Sequence, residues 1–150
     1  MERWQPLNRE QALAARDFSR AGEIFIDHQG QANEILYSIL TPLGYRVFVS
    51  AQKLRHIEKH SIASKHKTDI SHTLNNPDLV TINHEEPDTH IYYKFFHGKL
   101  FLVIPVQAKS DLRFVATMYN TDYIKGLKQN LISPEDFLYV RGGFKWKKWK

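Results

Sequence analysis

The chain has 150 residues, 42% of them apolar and 13% aromatic, so we expect one folded domain with a buried core and not a disordered chain. It contains no cysteine, which excludes disulfides, thiolate zinc sites and cysteine nucleophiles and fits a cytoplasmic location. The net charge of +5 is concentrated in residues 53–67 and the last six residues, which indicates either a polyanionic partner, nucleic acid ahead of membrane, or merely a solubilising tail and a solvated helix face.

Two helices are predicted in the first 45 residues. Asn8 is a suitable N-cap for a helix over 8–20 that ends before Gly22. The spacing of apolar residues predicts a second helix over 31–40, and the segment 24–26 between them fits a strand or a helix end. No apolar run follows the N-terminal charges and none has the length of a membrane span, so neither a signal peptide nor a membrane partner is expected.

Helices and then strands are predicted in the rest of the chain. A short strand at 47–49 precedes a helix over 51–61 capped by Ser50, and a further helical segment covers about 66–75. A tight hairpin is expected at His97-Gly98, a helix near 122–131, and a basic mobile tail over 142–150. The predicted strands are Leu79–Ile82, Ile91–Phe96, Leu100–Val106, Phe114–Tyr119 and Phe137–Val140. This order indicates an α+β fold, as a single domain over 1–150.

The segment 53–82 is unusually rich in histidine and cationic residues. It holds half of the eight histidines of the chain, and five cations lie within 53–67. Histidine exchanges a proton near neutral pH, and lysine and arginine bind phosphate. The segment therefore predicts a phosphodiester site. Its histidines are His56, His60, His66 and His72, and its cations are Lys53, Arg55, Lys59, Lys65 and Lys67.

The order of motifs over residues 46–123 resembles a known group of nucleases. A strand is followed by RHIEKH on a helix, then by TLNNPDLV, YYK, an apolar strand and FVATMY. This series resembles the phage-associated branch of the barnase–EndoU–colicin–RelE-like nucleases. The resemblance implies N-terminal helices packed on a four-stranded antiparallel sheet. It also implies a metal-independent endoribonuclease without a cofactor, in many members a toxin.

Five positions matching this pattern are the candidate catalytic residues: His56, His60, Lys94, Thr117 and Tyr119. Four residues apart on a helix, the two histidines share one face and can supply the base and the acid for RNA cleavage. We expect His60 to be the base, His56 the acid and Lys94 the phosphate clamp, while Thr117 and Tyr119 position the phosphate. The two histidine roles are exchangeable.

Ordinary structural roles remain open for the same residues. His56 fits a position at the edge of the core, and His60 fits a helix C-terminus, where the dipole favours it. Lys94 is equally typical of an exposed edge strand. Strand alternation places Thr117 and Tyr119 on one face, where they can make ordinary cross-strand contacts. The opposite, core-facing side is expected to carry Phe114, Ala116 and Met118.

The expected partner is RNA, either tRNA or mRNA, together with an acidic antitoxin or immunity protein if the chain is a free-standing toxin. The predicted RNA contacts are Arg55, Lys59, Lys65, His66, Lys67 and Tyr92.

Two other functions stay open: a non-catalytic nucleic-acid-binding module and a His-ligated, metal-dependent hydrolase. The spacing of His56 and His60 also fits two zinc ligands, but Ile57 stands where a metalloprotease motif needs glutamate. A third ligand is only a guess among His66, His72 and His90, so no metal site is predicted.

Overall fold

The computed structural model describes residues 4–27, 29–59, 69–96, 100–109, 111–122 and 134–144, and its main element is one mixed β-sheet. The strands are β1 (Ile24–Ile26), β2 (Ala32–Leu40), β3 (Arg46–Ser50), β4 (Leu79–Ile82), β5 (Thr89–Phe96), β6 (Leu100–Lys109), β7 (Leu112–Val115), β8 (Tyr119–Asp122) and β9 (Phe137–Val140). The helices are α1 (Arg9–Ala14), α2 (Ala51–Glu58) and α3 (Asp69–Asn75), and a short 3-10 helix covers Pro134–Asp136.

The sheet has the strand order β1-β2-β3-β7-β6-β5-β4-β9, and β8 pairs with the first half of β6. All neighbours are antiparallel except β3 and β7, which are parallel. The predicted fold, N-terminal helices packed on a four-stranded antiparallel sheet, is therefore wrong. The sheet is larger and mixed, and its first two strands occupy a region in which only helices and one ambiguous segment were predicted.

The segment predicted as a helix over 31–40 is the strand β2, and a β-bulge in this strand explains the helix-like spacing of its apolar residues. The pairing of β2 with β3 shifts register between Ile35 and Tyr37. As a result Ile35 packs on one face of the sheet, whereas Tyr37 and Ile39 pack on the other. A bulge breaks the alternation of a strand, and the resulting spacing of apolar residues resembles that of a helix.

The first helix is shorter than predicted. A reciprocal capping box between Asn8 and Gln11 starts α1, which ends at Ala14 and not near residue 20. Beyond it, the backbone of Asp17 exchanges two hydrogen bonds of 2.9 Å with Ser38 of β2. The segment that follows α1 therefore pairs with the sheet and does not extend the helix.

The core lies on both faces of the sheet. On one side, which we call the helix face, α2 and α3 bury Ile57, Ile70 and Leu74 against the middle strands. On the opposite face, one cluster surrounds Tyr93 and another surrounds Phe48. Among the described residues, no helix combines the length and apolar character needed to cross a membrane.

The predicted strand over 114–119 is interrupted by a second bulge. Val106 pairs with Val115, and Val103 pairs with Tyr119, so three steps along β6 match four steps along its partner. Because of the extra residue, Met118 packs on the helix face while Phe114 packs on the opposite face. The predicted common face of Phe114, Ala116 and Met118 is therefore wrong.

Several other elements agree with the sequence. The strands β4 and β9 have the predicted bounds, and α2 and α3 lie within the predicted helices. Phe144 packs half-buried against the cluster around Tyr93, within the segment predicted as a tail. Asp122, the first residue of the helix predicted near 122–131, is the last residue of β8, and residues 123–131 fall outside the described residues. The predicted hairpin tip and the lysines of the last six residues also fall outside them.

Candidate functional site

The helix α2 carries one of the predicted histidines on its solvent side. Ser50 caps the helix by accepting a hydrogen bond of 3.2 Å from the backbone of Lys53. Ile57 is fully buried in the core, which orients the helix, and His56 is exposed together with Arg55 and Lys59. An imidazole and two cations are thus available to solvent on one short helix.

The other half of the predicted pair lies outside the described part of the chain. His60, Lys65, His66 and Lys67 lie outside the described residues. The relation between His56 and His60 therefore stays a prediction from their spacing.

Lys94 is bound to protein oxygens on the helix face of β5. Its ammonium donates to the carbonyl of Asn76 at 2.7 Å and lies 3.7 Å from the carboxylate of Asp78. Its side chain is only 12% exposed, and burial lowers the pKa of the ammonium while Asp78 opposes this shift. Asp78 also accepts from the backbone of Phe95 at 2.7 Å and from Arg141 at 2.6 Å. The charge of Lys94 is thus compensated within the fold.

The asparagines that precede Asp78 connect the N-terminal segment to the rest of the chain. Asn75 accepts from the backbone of Leu7 at 3.0 Å, donates to the carbonyl of Leu40 at 3.1 Å, and accepts from the indole of Trp4 at its own carbonyl. Asn76 donates to the carbonyl of Leu7 at 3.4 Å. The NNPD sequence, part of the motif that carries the resemblance, therefore forms a structural junction, which we call the Asp78 corner (Asn75, Asn76, Asp78, Lys94 and Arg141).

Three other predicted residues lie in different environments. Tyr92 is 0% exposed, so its ring face is not available for the predicted stacking on a base. Thr117 is half-buried in the bulge between β7 and β8. Tyr119 is 39% exposed and lies opposite Val103, on the face of the sheet away from α2 and α3.

A cluster that the sequence did not indicate lies at the other end of the helix face of β5. The hydroxyl of Tyr45 lies 2.7 Å from Nδ1 of His90, and the guanidinium carbon of Arg113 lies 4.4 Å above the ring of Tyr45. The buried hydroxyl of Tyr92 donates to that of Tyr45 at 2.7 Å. We call these four residues the Tyr45 cluster.

At neutral pH, the shifted pKa values of the Tyr45 cluster keep both tyrosine hydroxyls and the imidazole uncharged, whereas the guanidinium is charged. Burial raises the pKa of Tyr45 to about 12. Burial and then the charge of Arg113 lower the pKa of His90, while Asp88 acts in the opposite direction. Nη1 of Arg113 is buried and has no hydrogen-bond partner among the described residues. The cluster therefore combines a neutral imidazole with a cation that retains a free donor.

Strand order explains why these side chains meet. Arg113 of β7 pairs with Val47 of β3 and with Ala108 of β6, and β6 in turn pairs with β5, which carries His90. Tyr45 directly precedes β3. The alternation of β5 offers the only sequence signal, because it places His90 on the same face as Tyr92.

The family described as phage-Barnase-EndoU-ColicinE5/D-RelE like nuclease3 matches residues 26–128. The chain belongs to this nuclease family. The predicted resemblance is thereby confirmed, and a nuclease function is supported. Neither the curated proteins nor the solved structures contain a significant match.

Within the described ranges, no three or more histidine, aspartate or glutamate side chains are grouped so that they could hold a metal ion. His66, one of the guessed third ligands, lies outside those ranges.

Proposed function

We propose that this nuclease is a metal-independent endoribonuclease, toxin-like in its action on tRNA or mRNA. Family membership supports the nuclease class. The observation that supports RNA as the substrate is the solvent side of α2, where His56 is exposed together with the cations Arg55 and Lys59. An imidazole supplies proton transfer near neutral pH, and the cations attract the phosphate backbone.

The proposed reaction is attack of the 2′-hydroxyl on the adjacent phosphate. His60 removes the proton of O2′, the O2′–P bond forms, the P–O5′ bond breaks, and His56 donates a proton to O5′. The products are a 2′,3′-cyclic phosphate and a free 5′-hydroxyl. Thr117 positions the phosphate in this scheme, whereas Tyr119 lies on the face of the sheet away from α2 and takes no part in it. An acidic antitoxin would cover the basic surface.

The test is incubation of the purified protein with mixed tRNA and an end-labelled single-stranded RNA in EDTA, followed by analysis of the product ends. We expect discrete fragments that end in cyclic phosphate, and no cleavage of an RNA with a 2′-deoxy sugar at the scissile position. Cleavage of the deoxy substrate would exclude this mechanism. Cleavage only after addition of zinc or magnesium would indicate a metal-dependent hydrolase instead.

Substitutions of the α2 histidines separate the enzyme from a binding module. His56→Ala and His60→Ala should each abolish most cleavage while RNA binding is largely kept. His84→Gln is the matched control, because His84 is an exposed loop histidine. Its contact of 2.7 Å with the carboxylate of Asp136 can be replaced by a hydrogen bond from glutamine. Salt-sensitive RNA binding by a wild-type protein that never cleaves would favour the non-catalytic module.

A further inference from the structure

Two hydrogen-bond donors of the Tyr45 cluster have no acceptor in the described part of the chain. Nη1 of Arg113 is buried without a partner. The hydrogen bond of His90 is made by Nδ1, which leaves Nε2 unbound. A buried donor without an acceptor costs free energy and is rare in native proteins. A cation with such a donor, next to a second donor, points to an anionic ligand.

The hydrogen bond between the two tyrosine hydroxyls favours one tautomer of His90. Tyr92 donates to the oxygen of Tyr45, so the proton of Tyr45 is directed to Nδ1 of His90. A neutral imidazole that accepts at Nδ1 carries its proton on Nε2. His90 is therefore arranged as a hydrogen-bond donor, and its neutral state fits that role.

We propose that Arg113 and His90 form a phosphate-binding site in which Nη1 of the guanidinium and Nε2–H of the imidazole both donate to phosphate oxygens. Both groups flank the ring of Tyr45, since the centroids of its ring and that of His90 are 5.7 Å apart. Tyr45, His90 and Arg113 are each half-buried, and Nη1 itself has no solvent contact in the free protein, so a phosphate is admitted when the Arg113 side chain turns outward. Partial burial strengthens the hydrogen bonds that then form.

Within the proposed ribonuclease, on which this step of the inference rests, the ligand is the scissile phosphate. The site takes the role of phosphate clamp that the sequence suggests for Lys94. Donors held within the fold stabilise the charge that develops on phosphorus. The guanidinium presents a planar set of donors that suits phosphate, which an ammonium does not.

The first experiment uses inorganic phosphate as the probe and does not depend on RNA cleavage. Nitrogen-15 NMR of the histidine side chains should show His90 as the Nε2–H tautomer. Added phosphate should shift the His90 signals in the wild type, with an affinity roughly tenfold or more weaker in Arg113→Met. Arg20→Met is the matched control, since Arg20 also lies over an aromatic ring, that of Phe48, at 5.4 Å.

A second variant tests the hydroxyl chain. Tyr45→Phe keeps the ring beneath the guanidinium and removes only the hydroxyl that fixes Nδ1. The preference for the Nε2–H tautomer should decrease and phosphate binding should weaken, although the melting temperature stays close to that of the wild type. A purely structural role of the cluster would change the melting temperature and leave phosphate binding unaltered.

Each outcome bears on one proposal alone. Absence of a phosphate-induced shift at His90, or equal shifts in the wild type and in Arg113→Met, would overturn the phosphate site. If phosphate binds at His90 but the wild type cleaves no RNA, the site stands and the ribonuclease proposal fails. If RNA is cleaved and Arg113→Lys, which keeps the charge, retains the wild-type kcat/KM, the assignment of the scissile phosphate to this site fails and the ribonuclease stands.

Discussion

Two cationic groups lie at opposite ends of the helix face of β5, and they differ in their acceptors. In the Asp78 corner, Lys94 has a carbonyl at 2.7 Å and a carboxylate at 3.7 Å. In the Tyr45 cluster, Nη1 of Arg113 has no acceptor among the described residues. The lysine of the YYK motif is thus compensated within the fold, whereas an arginine outside the expected site keeps a donor, which in our proposal binds phosphate. Acceptors, and not residue type, distinguish the two roles.

The largest effect is expected from Asp78→Asn. Its carboxylate is 4% exposed and balances both Lys94 and Arg141, so the substitution leaves two cations without a counter-charge. The free energy of unfolding should fall by about 3–5 kcal/mol, measured by urea denaturation. Glu23→Gln, in an exposed ion pair with Arg20, is the control and should change stability little. A small loss in Asp78→Asn would mean that the corner is not a structural junction.

Lys94→Met tests the same corner by removing the ammonium group of Lys94. The substitution removes the hydrogen bond to Asn76 and one cation beside Asp78, which keeps Arg141 and the backbone of Phe95. We expect a loss of about 1–3 kcal/mol in the free energy of unfolding. Cleavage per folded molecule should fall less than in Arg113→Lys. The reverse order of activities would return the phosphate clamp to Lys94.

Arg113→Lys should show the opposite pattern. It keeps the charge above the ring of Tyr45, so the free energy of unfolding should change by less than about 1 kcal/mol. The ammonium cannot reproduce the donors of the guanidinium, so kcat/KM for RNA should fall roughly tenfold. Equal losses of stability and activity would indicate that Arg113 serves only the fold.

A smaller effect is expected on the pH dependence of stability, and it has the same sign at both ends of β5. Burial is the main cause that lowers the pKa of His72 beside the Asp78 corner and of His90 in the Tyr45 cluster, each from an ordinary value of 6.5. The unfolded chain therefore binds these protons more readily than the folded one. Their contribution to stability is present above about pH 6.5 and is lost as the pH falls through the lowered values.

Charged neighbours modify this effect in different ways. Lys94 and Arg9 add to the shift of His72, which Asp69 and Asp78 oppose, whereas Arg113 adds to that of His90 and Asp88 opposes it. Denaturation between pH 5 and about 7.5 should show a smaller loss of stability on acidification in His72→Asn and in His90→Asn than in the wild type. An unchanged slope in both variants would contradict these pKa shifts.

The sequence predicts local features of the molecule better than its sheet. The bounds of β4, the cap of α2 by Ser50 and the family resemblance follow from nearby residues, and the structure and the family match bear them out. The two β-bulges are set by pairing between strands, so the spacing of apolar residues in 31–40 and in 114–119 predicts the wrong element and the wrong faces. Alternation along one strand does not show such a shift.

The candidate site was only partly predictable for the same reason. The shared face of Tyr92 and Lys94 follows from alternation, but their partners Tyr45 and Asp78 are fixed by tertiary contacts. The meeting of His90 with Arg113 requires β7 and β5 to flank β6, together with a parallel contact between β3 and β7. No short sequence motif predicts this arrangement of strands.

The most direct test is the cleavage rate of one end-labelled RNA in EDTA by the wild type and by Arg113→Lys, with product ends identified. We expect the wild type to give fragments ending in 2′,3′-cyclic phosphate, and the variant to be about tenfold slower with the same products. The proposal of a metal-independent endoribonuclease would be contradicted by a wild type that does not cut in EDTA. The phosphate site would be contradicted by a variant that cuts as fast as the wild type.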